Sequence, residues 1–139
     1  MKKRVPVSEI MSRDLVTLTT ADDLVYAEEL FKKNRIRHIP VVSTDKIVGM
    51  LSYTDLLRIS FADAVDEHEE SVDTMVYNMF TISQVMARDV VSVTSQTTIK
   101  EVAQFLASKD FHALPVVDNG KLVGIVTTTD LINYLLDLY

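Results

Sequence analysis

Two stretches of the chain carry one pattern of apolar and polar positions. Ile39 to Asp55 reads IPVVSTDKIVGMLSYTD, and Leu114 to Asp130 reads LPVVDNGKLVGIVTTTD. In each, an apolar run opened by a proline gives way to a polar turn. A second apolar run with one glycine follows, and then a hydroxyl residue three places before an aspartate. Pro40 and Pro115 lie 75 positions apart, and so do Asp55 and Asp130. No insertion disturbs the spacing, so the chain is an internal repeat.

The pattern predicts the same elements twice. Val7 to Met11 reads as one short helical turn with Ile10 and Met11 facing inward. Leu15 to Leu18 alternates weakly and is rich in β-formers, which predicts a short strand. Thr20 to Asp23 is a helix start, with a hydroxyl cap and acids in the first turn to suit the helix dipole. Leu24, Ala27, Leu30 and Phe31 then recur at helical spacing to about Asn34. His38 to Val42 and Ile47 to Ser52 are apolar strands around a turn at Ser43 to Lys46, an antiparallel hairpin. Tyr53 to about Phe61 returns to helix, with Leu56, Leu57 and Phe61 as its apolar face.

The second pass repeats the order. Ser83 to Met86 is the entry turn, Val90 to Val93 the strand, and Thr97 or Thr98 the next helix cap. Thr98 to Glu101 has capping-box form, and Ile99, Val102, Ala103 and Leu106 make one stripe. Ala113 to Val117 and Leu122 to Thr127 flank Asn119-Gly120, a strong hairpin signal. Thr129 to about Leu138 closes as a helix. The expected fold class is α/β (α+β), two pseudo-symmetric β-α-β-β-α repeats. Neither repeat buries its sheet well alone, so the two are expected to pack into one core. Repeat one spans 7–61 and repeat two spans 82–139, around an acidic linker and connecting helix at 62–81.

That linker carries Asp63, Asp66, Glu67, Glu69, Glu70 and Asp73, followed by Met75, Val76, Met79 and Phe80 at helical spacing. A solvated turn and a helix packed on the core explain this composition. A partner or oligomer surface is the alternative, because Met suits adaptable contacts.

Composition narrows the function classes. Nearly half of the 139 residues are apolar, and only three are glycine and three proline, a globular balance. No apolar run approaches the roughly 18 residues of a membrane span, and the first residues lack a leader's apolar core. With no cysteine, disulfides, thiolate catalysis and cysteine zinc sites are excluded, and the cytoplasm is the expected location. A net charge of −6 argues against sequence-independent nucleic-acid binding, which needs clustered Lys and Arg. A single nucleotide is not excluded, since local charge decides that. His38, His68 and His112 show no metal-ligand spacing, and there is no serine elbow, Walker loop or G-x-G-x-x-G motif. Catalysis is therefore not expected.

The chemistry-bearing positions are Ser52, Asp55, Thr127 and Asp130, each pair standing where a strand passes into a helix. An ionised carboxylate can accept hydrogen bonds from both vicinal hydroxyls of a ribose. A phosphate is favoured at the same helix N-terminus. Ordinary helix capping uses the same residues and needs no ligand. Gly49 and Gly124 are read as permitting close strand packing. Arg13-Asp14 and Arg88-Asp89 recur in both copies, either lining a site or forming local ion pairs of little worth.

On these residues the chain resembles the cystathionine-β-synthase (CBS) domain family. The resemblance spans Val7 to Arg58 and Ile82 to Asn133. It rests on the Ile-Met and Val-Met entry turns, the Pro-Val-Val strands, and the ends Gly49-Met-Leu-Ser-Tyr-Thr-Asp55 and Gly124-Ile-Val-Thr-Thr-Thr-Asp130. It implies a tandem CBS pair, or Bateman module, with sheets packed face to face and two clefts between the repeats. Such modules commonly bind adenosine derivatives and often form homodimeric disks. The resemblance thus assigns Ser52, Asp55, Thr127 and Asp130 to ribose and phosphate, with Arg37, His38 and His112 as phosphate-binding candidates. A solvated strand edge is the bland reading of Arg37 and His38, and a partly buried structural histidine that of His112. For the base it implies Met11 and Val16 beside Asp130, and Met86 and Val91 beside Asp55, where plain core packing is the alternative. Because Ala113 stands where repeat one has His38, the two sites are expected to be unequal, with phosphates favoured in repeat one.

The expectation is a non-enzymatic regulatory module that needs no cofactor. It takes an adenosine nucleotide (AMP, ADP or ATP-like) as regulatory ligand, forms a homodimer and signals to a separate, unidentified target protein. No nucleic acid or membrane partner is expected. The alternative is a dimerising interaction module with vestigial clefts, working through the acidic linker and the Met/Phe helix. A hydrolase or transferase using Asp55 or Asp130 as base is the third reading.

Overall fold

The computed structural model describes residues 4–63 and 77–139, with the side chains at 60–63 excepted. Its helices and strands run α1 Leu24–Asn34, β1 His38–Ser43, β2 Lys46–Ser52, α2 Tyr53–Asp63, α3 Ile82–Val85, α4 Ile99–Ser108, β3 Ala113–Asp118, β4 Lys121–Thr127 and α5 Thr128–Asp137. Two small antiparallel sheets, β1–β2 and β3–β4, make this a mixed α+β chain. It divides into two compact units, one of Val16–Asp89 and one of the described residues up to Leu15 with Val90–Tyr139.

In the unit Val16–Asp89, α1 begins at Asp23, whose carboxylate accepts the Tyr26 amide at 2.8 Å. The helical period then puts Leu24, Ala27 and Phe31 on one buried face. β1 and β2 close over a two-residue turn, Thr44-Asp45, and the buried run Ile39 to Val42 supplies the inner face of the hairpin. Leu18 joins β1 by two hydrogen bonds, donating to Pro40 O at 3.0 Å and accepting from the Val42 amide at 2.7 Å. On the other edge, Ala87 pairs with Met50 of β2. That segment is launched by α3, which Thr81 and Gln84 cap reciprocally. Leu18, Leu24, Ile39, Leu51, Leu56 and Ile82 are wholly buried. Each contributes about 1.5–3 kcal/mol through removal of its side chain from water.

The second unit repeats this with shifted numbers. A single 3₁₀ turn, Val7–Glu9, packs Val7 and Met11 against Val102, Leu106, Leu114, Val116 and Val126. Ser12 pairs with Ile125 of β4, and Val93 bridges Val116 of β3. The entry turn of each sequence repeat therefore belongs to the compact unit that holds the other repeat's hairpin. Both hairpins also carry the same bulge. Pairing steps from Val41–Gly49 to Val42–Ile47 in one and from Val116–Gly124 to Val117–Leu122 in the other, leaving Val48 and Val123 as the extra residues.

Several expectations change. The strands foreseen at Leu15 to Leu18 and Val90 to Val93 shrink to one bridging residue each, because the preceding residues make no further ladder. The cap of α1 is the Asp23 carboxylate, not the Thr20 hydroxyl. Thr98 does cap α4, but the Glu101 side chain pairs with Arg4 at 3.3 Å and does not complete a box. Leu57 is exposed, so the buried face of α2 centres on Leu56. Phe80 packs on the core of the first unit and Met79 is exposed. Asp66, Glu67, Glu69, Glu70, Asp73, Met75 and Val76 lie outside the described residues, as do the side chains of Phe61 and Asp63. Among the described residues, no helix is long and apolar enough to cross a membrane.

Candidate ligand site at the strand–helix junctions

β2 runs into α2 with no intervening loop, and β4 runs into α5 in the same way. The free amides at each helix start need acceptors, and a hydroxyl–carboxylate pair supplies them. Ser52 Oγ accepts the Asp55 amide at 3.1 Å while Asp55 Oδ2 accepts the Ser52 amide at 3.2 Å. Thr127 Oγ1 accepts the Asp130 amide at 3.2 Å, and Asp130 Oδ2 accepts the Thr127 amide at 2.9 Å. Both are reciprocal capping boxes. The capping chemistry anticipated for these four residues is therefore realised, and in both copies it consumes one carboxylate oxygen.

The second oxygen differs between the copies. Asp55 Oδ1 faces Arg58 at 3.5 Å, one helical turn on. Asp130 Oδ1 has no protein hydrogen bond among the described residues, and position 133 holds an exposed Asn. Arg58 was not singled out from the sequence, although its i+3 spacing from Asp55 is the signal that marks it. Both carboxylates are partly exposed. A capped helix end with a spare carboxylate oxygen can accept hydroxyl donors.

The basic candidates sit against the same junctions. Tyr53, the first residue of α2, donates its amide to Arg37 O at 2.9 Å, which fixes Arg37 beside the Ser52–Asp55 box. The Arg37 side chain is exposed, and His38, half-buried, stands opposite Ser52 in the hairpin register. His112 occupies the place of Arg37 in the other unit. Its carbonyl accepts the Thr128 amide at 2.9 Å and the Thr128 hydroxyl at 3.0 Å. His112 is exposed, not the partly buried histidine of the bland reading.

The apolar candidates divide. Met11 lies in the unit of Asp130, and Met86 in the unit of Asp55. Val16 packs on the core of the unit that holds Asp55, whereas Val91 is exposed in the unit that holds Asp130. Within a unit, each aspartate is joined by the methionine of the other copy's entry turn. Gly49 and Gly124 allow this: a Cβ on Gly124 would meet the Met11 sulfur at 2.6 Å and Ser12 O at 3.1 Å. Arg13 and Arg88 do not pair with Asp14 and Asp89. Arg13 Nη2 donates to Ser8 O at 3.1 Å, and Arg88 Nη2 donates to Ser83 O at 3.0 Å, closing the two entry turns.

The model of the CBS domain matches residues 7–62 and 82–137, well over half the chain. Protein MJ1225 of Methanocaldococcus jannaschii is 27% identical over 92% of the chain and 46% of its own length. The chain spans less than half of three curated relatives it matches, at 46%, 24% and 23%. Among solved structures, a Vibrio cholerae protein assigned to acetoin utilization (AcuB) superposes with a TM-score of 0.81 at 29% identity, covering 98% of this chain and 93% of that one. The CBS domain pair of protein MJ0100, in complex with 5′-methylthioadenosine and S-adenosyl-L-methionine, superposes with a TM-score of 0.78 at 25% identity, covering 94% and 99%.

Proposed function

The chain belongs to the CBS-domain family as a tandem pair, and from that premise we propose that it is a regulatory module binding an adenosine derivative. The observation that carries this is the doubled junction: two partly exposed aspartates, 75 positions apart, each capping a helix with only one carboxylate oxygen. The other oxygen, shared with Arg58 in Asp55 and spare in Asp130, accepts ribose hydroxyls, and the helix N-terminus favours the phosphate or carboxylate end of the same ligand. A 25%-identical relative of the same fold, MJ0100, holds two adenosine compounds, which supports the ligand class.

The module acts without catalysis of its own and signals to a separate target protein. Signalling requires that the ligand bind two arrangements of the chain with different affinity. The chain pairs with a second copy. Ile132, Leu135 and Leu136 recur at i, i+3 and i+4 on α5 and are all exposed, a stripe suited to a helical partner.

A thermal-shift and calorimetric titration with adenosine, AMP, ADP, ATP, 5′-methylthioadenosine and S-adenosylmethionine tests the reading. A ligand at a hundred to a thousand times its Kd should raise stability by about 3–4 kcal/mol. If none of the six shifts the transition or releases heat, the sensor reading fails. The dimerising module with vestigial sites then takes its place, provided sedimentation shows a dimer. Product formation during the titration would instead favour an enzyme.

A further inference from the structure

The chain has six methionines and no cysteine, so thioethers are the only sulfur it can offer to an oxidant. Their surroundings differ. Met79 is 72% exposed, while Met11 and Met50 are each 8% exposed. Met86 lies between, half-buried against the core of the unit Val16–Asp89.

What sets Met86 apart is the place of its sulfur. A Cβ built on Gly49 would run into that sulfur, with Met86 Cγ at 2.9 Å and Ala87 O at 3.0 Å, so the thioether rests directly on the β2 backbone. The neighbouring backbone donors are already used. The Met50 amide donates to Ala87 O at 3.0 Å, the Ala87 amide to Met50 O at 2.9 Å, and the Met86 amide to Ile82 O at 2.9 Å. An oxygen added to this sulfur finds no room towards Gly49 and no donor among these amides. Burying it there unpaired is costly, so the entry turn has to lift from the hairpin. Met11 rests on Gly124 in the same way, 2.6 Å from the added Cβ, but it is buried. The seat is duplicated and its cover is not.

We propose that Met86 is an oxidation-sensitive modification site, at which a hydroperoxide loosens the entry turn of repeat two from the β1–β2 hairpin while Met11 is spared. The sulfur lone pair attacks one peroxide oxygen, forming the S–O bond and breaking the O–O bond. The proton of the transferred hydroxyl passes to the departing hydroxide, so hydrogen peroxide leaves as water and the thioether becomes a sulfoxide. Sulfur is oxidised by two electrons and the peroxide is reduced by two. Methionine sulfoxide reductases, one for each sulfoxide epimer, reverse the step. This site goes beyond the proposed function, and its test needs no nucleotide.

The test exposes the full chain to hydrogen peroxide for increasing times. Peptide mass spectrometry maps the sulfoxide at every methionine, and the thermal midpoint of each sample is read alongside. Met79 should convert first, Met86 second, and Met11 and Met50 last. The midpoint should hold while Met79 alone converts, fall by about 3 °C or more as Met86 converts, and return after treatment with both reductases. Met86→Leu, which conserves volume, should keep its midpoint under peroxide. The double variant Met75→Leu/Met79→Leu should lose it as wild type does. Conversion of Met86 no faster than that of Met11, or a fall in midpoint that persists in Met86→Leu, overturns the proposal. If Met86→Leu does not fold, the wild-type time course decides. A fall that follows the Met86 fraction upholds the site, and one that follows Met75 or Met79 ends it.

Discussion

Gly49 and Met86 share one space. A Cβ added at Gly49 would run into the Met86 sulfur, with Met86 Cγ at 2.9 Å and Ala87 O at 3.0 Å behind it. Gly124 and Met11 repeat the arrangement in the other unit. The glycine within each second apolar run is thus the point where the entry turn of the other copy seats against a hairpin. It is there because the approach of chain to chain leaves no room for a side chain. This contact ties the two copies' sequences into each compact unit and sets the methionine in the unit of the capped aspartate.

Gly49→Ala should therefore destabilise the chain by about 1–3 kcal/mol, the usual cost of overpacking. Met86→Ala removes the flexible part of the obstacle but not the Ala87 carbonyl. The double variant should recover part of the loss, giving a coupling of about 0.5–3 kcal/mol in a denaturant-unfolding cycle. Strict additivity would mean that the two residues do not compete for space.

Asp118 offers a pH test in the second unit. The Ser95 hydroxyl and then the Ser95 amide, at 3.0 Å, hydrogen-bond the Asp118 carboxylate and hold its pKa below the ordinary 3.8. The folded chain thus binds this proton less tightly than the unfolded chain. The stabilisation is present in full above the unfolded pKa of about 3.9 and is lost as pH falls through it towards the lower folded value. Asp118→Asn removes the dependence. The gap between wild type and variant in chemical-denaturation midpoint should be constant above about pH 5 and narrow steadily below about pH 4. A gap that widens with acid would contradict the assignment.

The hairpins, the helices and the repeat were legible because each rests on local signals: the prolines, Asn119-Gly120, and the stripe Ile99, Val102, Leu106. What was not legible depends on partners distant in sequence. The first strands were overread because Val16 and Val91 look like β-formers, yet only Leu18 and Val93 find ladder partners. Thr20 lost the cap to Asp23 because the helix starts three residues later, and no pattern fixes a boundary that closely. Leu57 fitted the period of α2 and is exposed all the same, since periodicity does not say how wide a face the neighbours cover. At the site, Ser52, Asp55, Thr127 and Asp130 were readable as strand–helix junctions. Arg58 was missed although its i+3 spacing from Asp55 marks it, because that spacing alone does not say that the carboxylate has a second oxygen to offer.

The two hairpin turns solve one problem with different residues. Asn119 and Gly120 both take positive φ, 52° and 79°, residue types that tolerate it. Thr44, at φ 62, is β-branched and poorly suited to the left-handed region. Thr44→Gly should raise stability by about 0.5–1 kcal/mol. Gly120→Ala should cost about 1 kcal/mol, and for conformational reasons alone, because nothing lies within 4 Å of its added Cβ. Thermal unfolding of the two variants should move in opposite directions. Movement in the same direction would place the turn strain elsewhere.

The capping boxes and the ligand make different demands on the same aspartates, and this separates the structural role from the functional one. Capping needs an oxygen that accepts the Ser52 or Thr127 amide, and a carboxamide provides one. Ribose binding of the kind proposed needs the charge, since hydrogen bonds to an ionised acceptor are roughly twice as strong as neutral ones. Asp55→Asn and Asp130→Asn should each stay within about 0.5 kcal/mol of wild type, while Asp55→Ala and Asp130→Ala lose about 1 kcal/mol with the cap. Adenosine affinity should fall by about tenfold at the altered site in both the Asn and the Ala variants. Asp55 shares its second oxygen with Arg58 at 3.5 Å and Asp130 does not. Arg58→Ala should therefore leave the second site untouched and change only the first. Unfolding curves read beside calorimetric titrations decide the matter. If Asp→Asn is silent in both measurements, the aspartates are caps and nothing more.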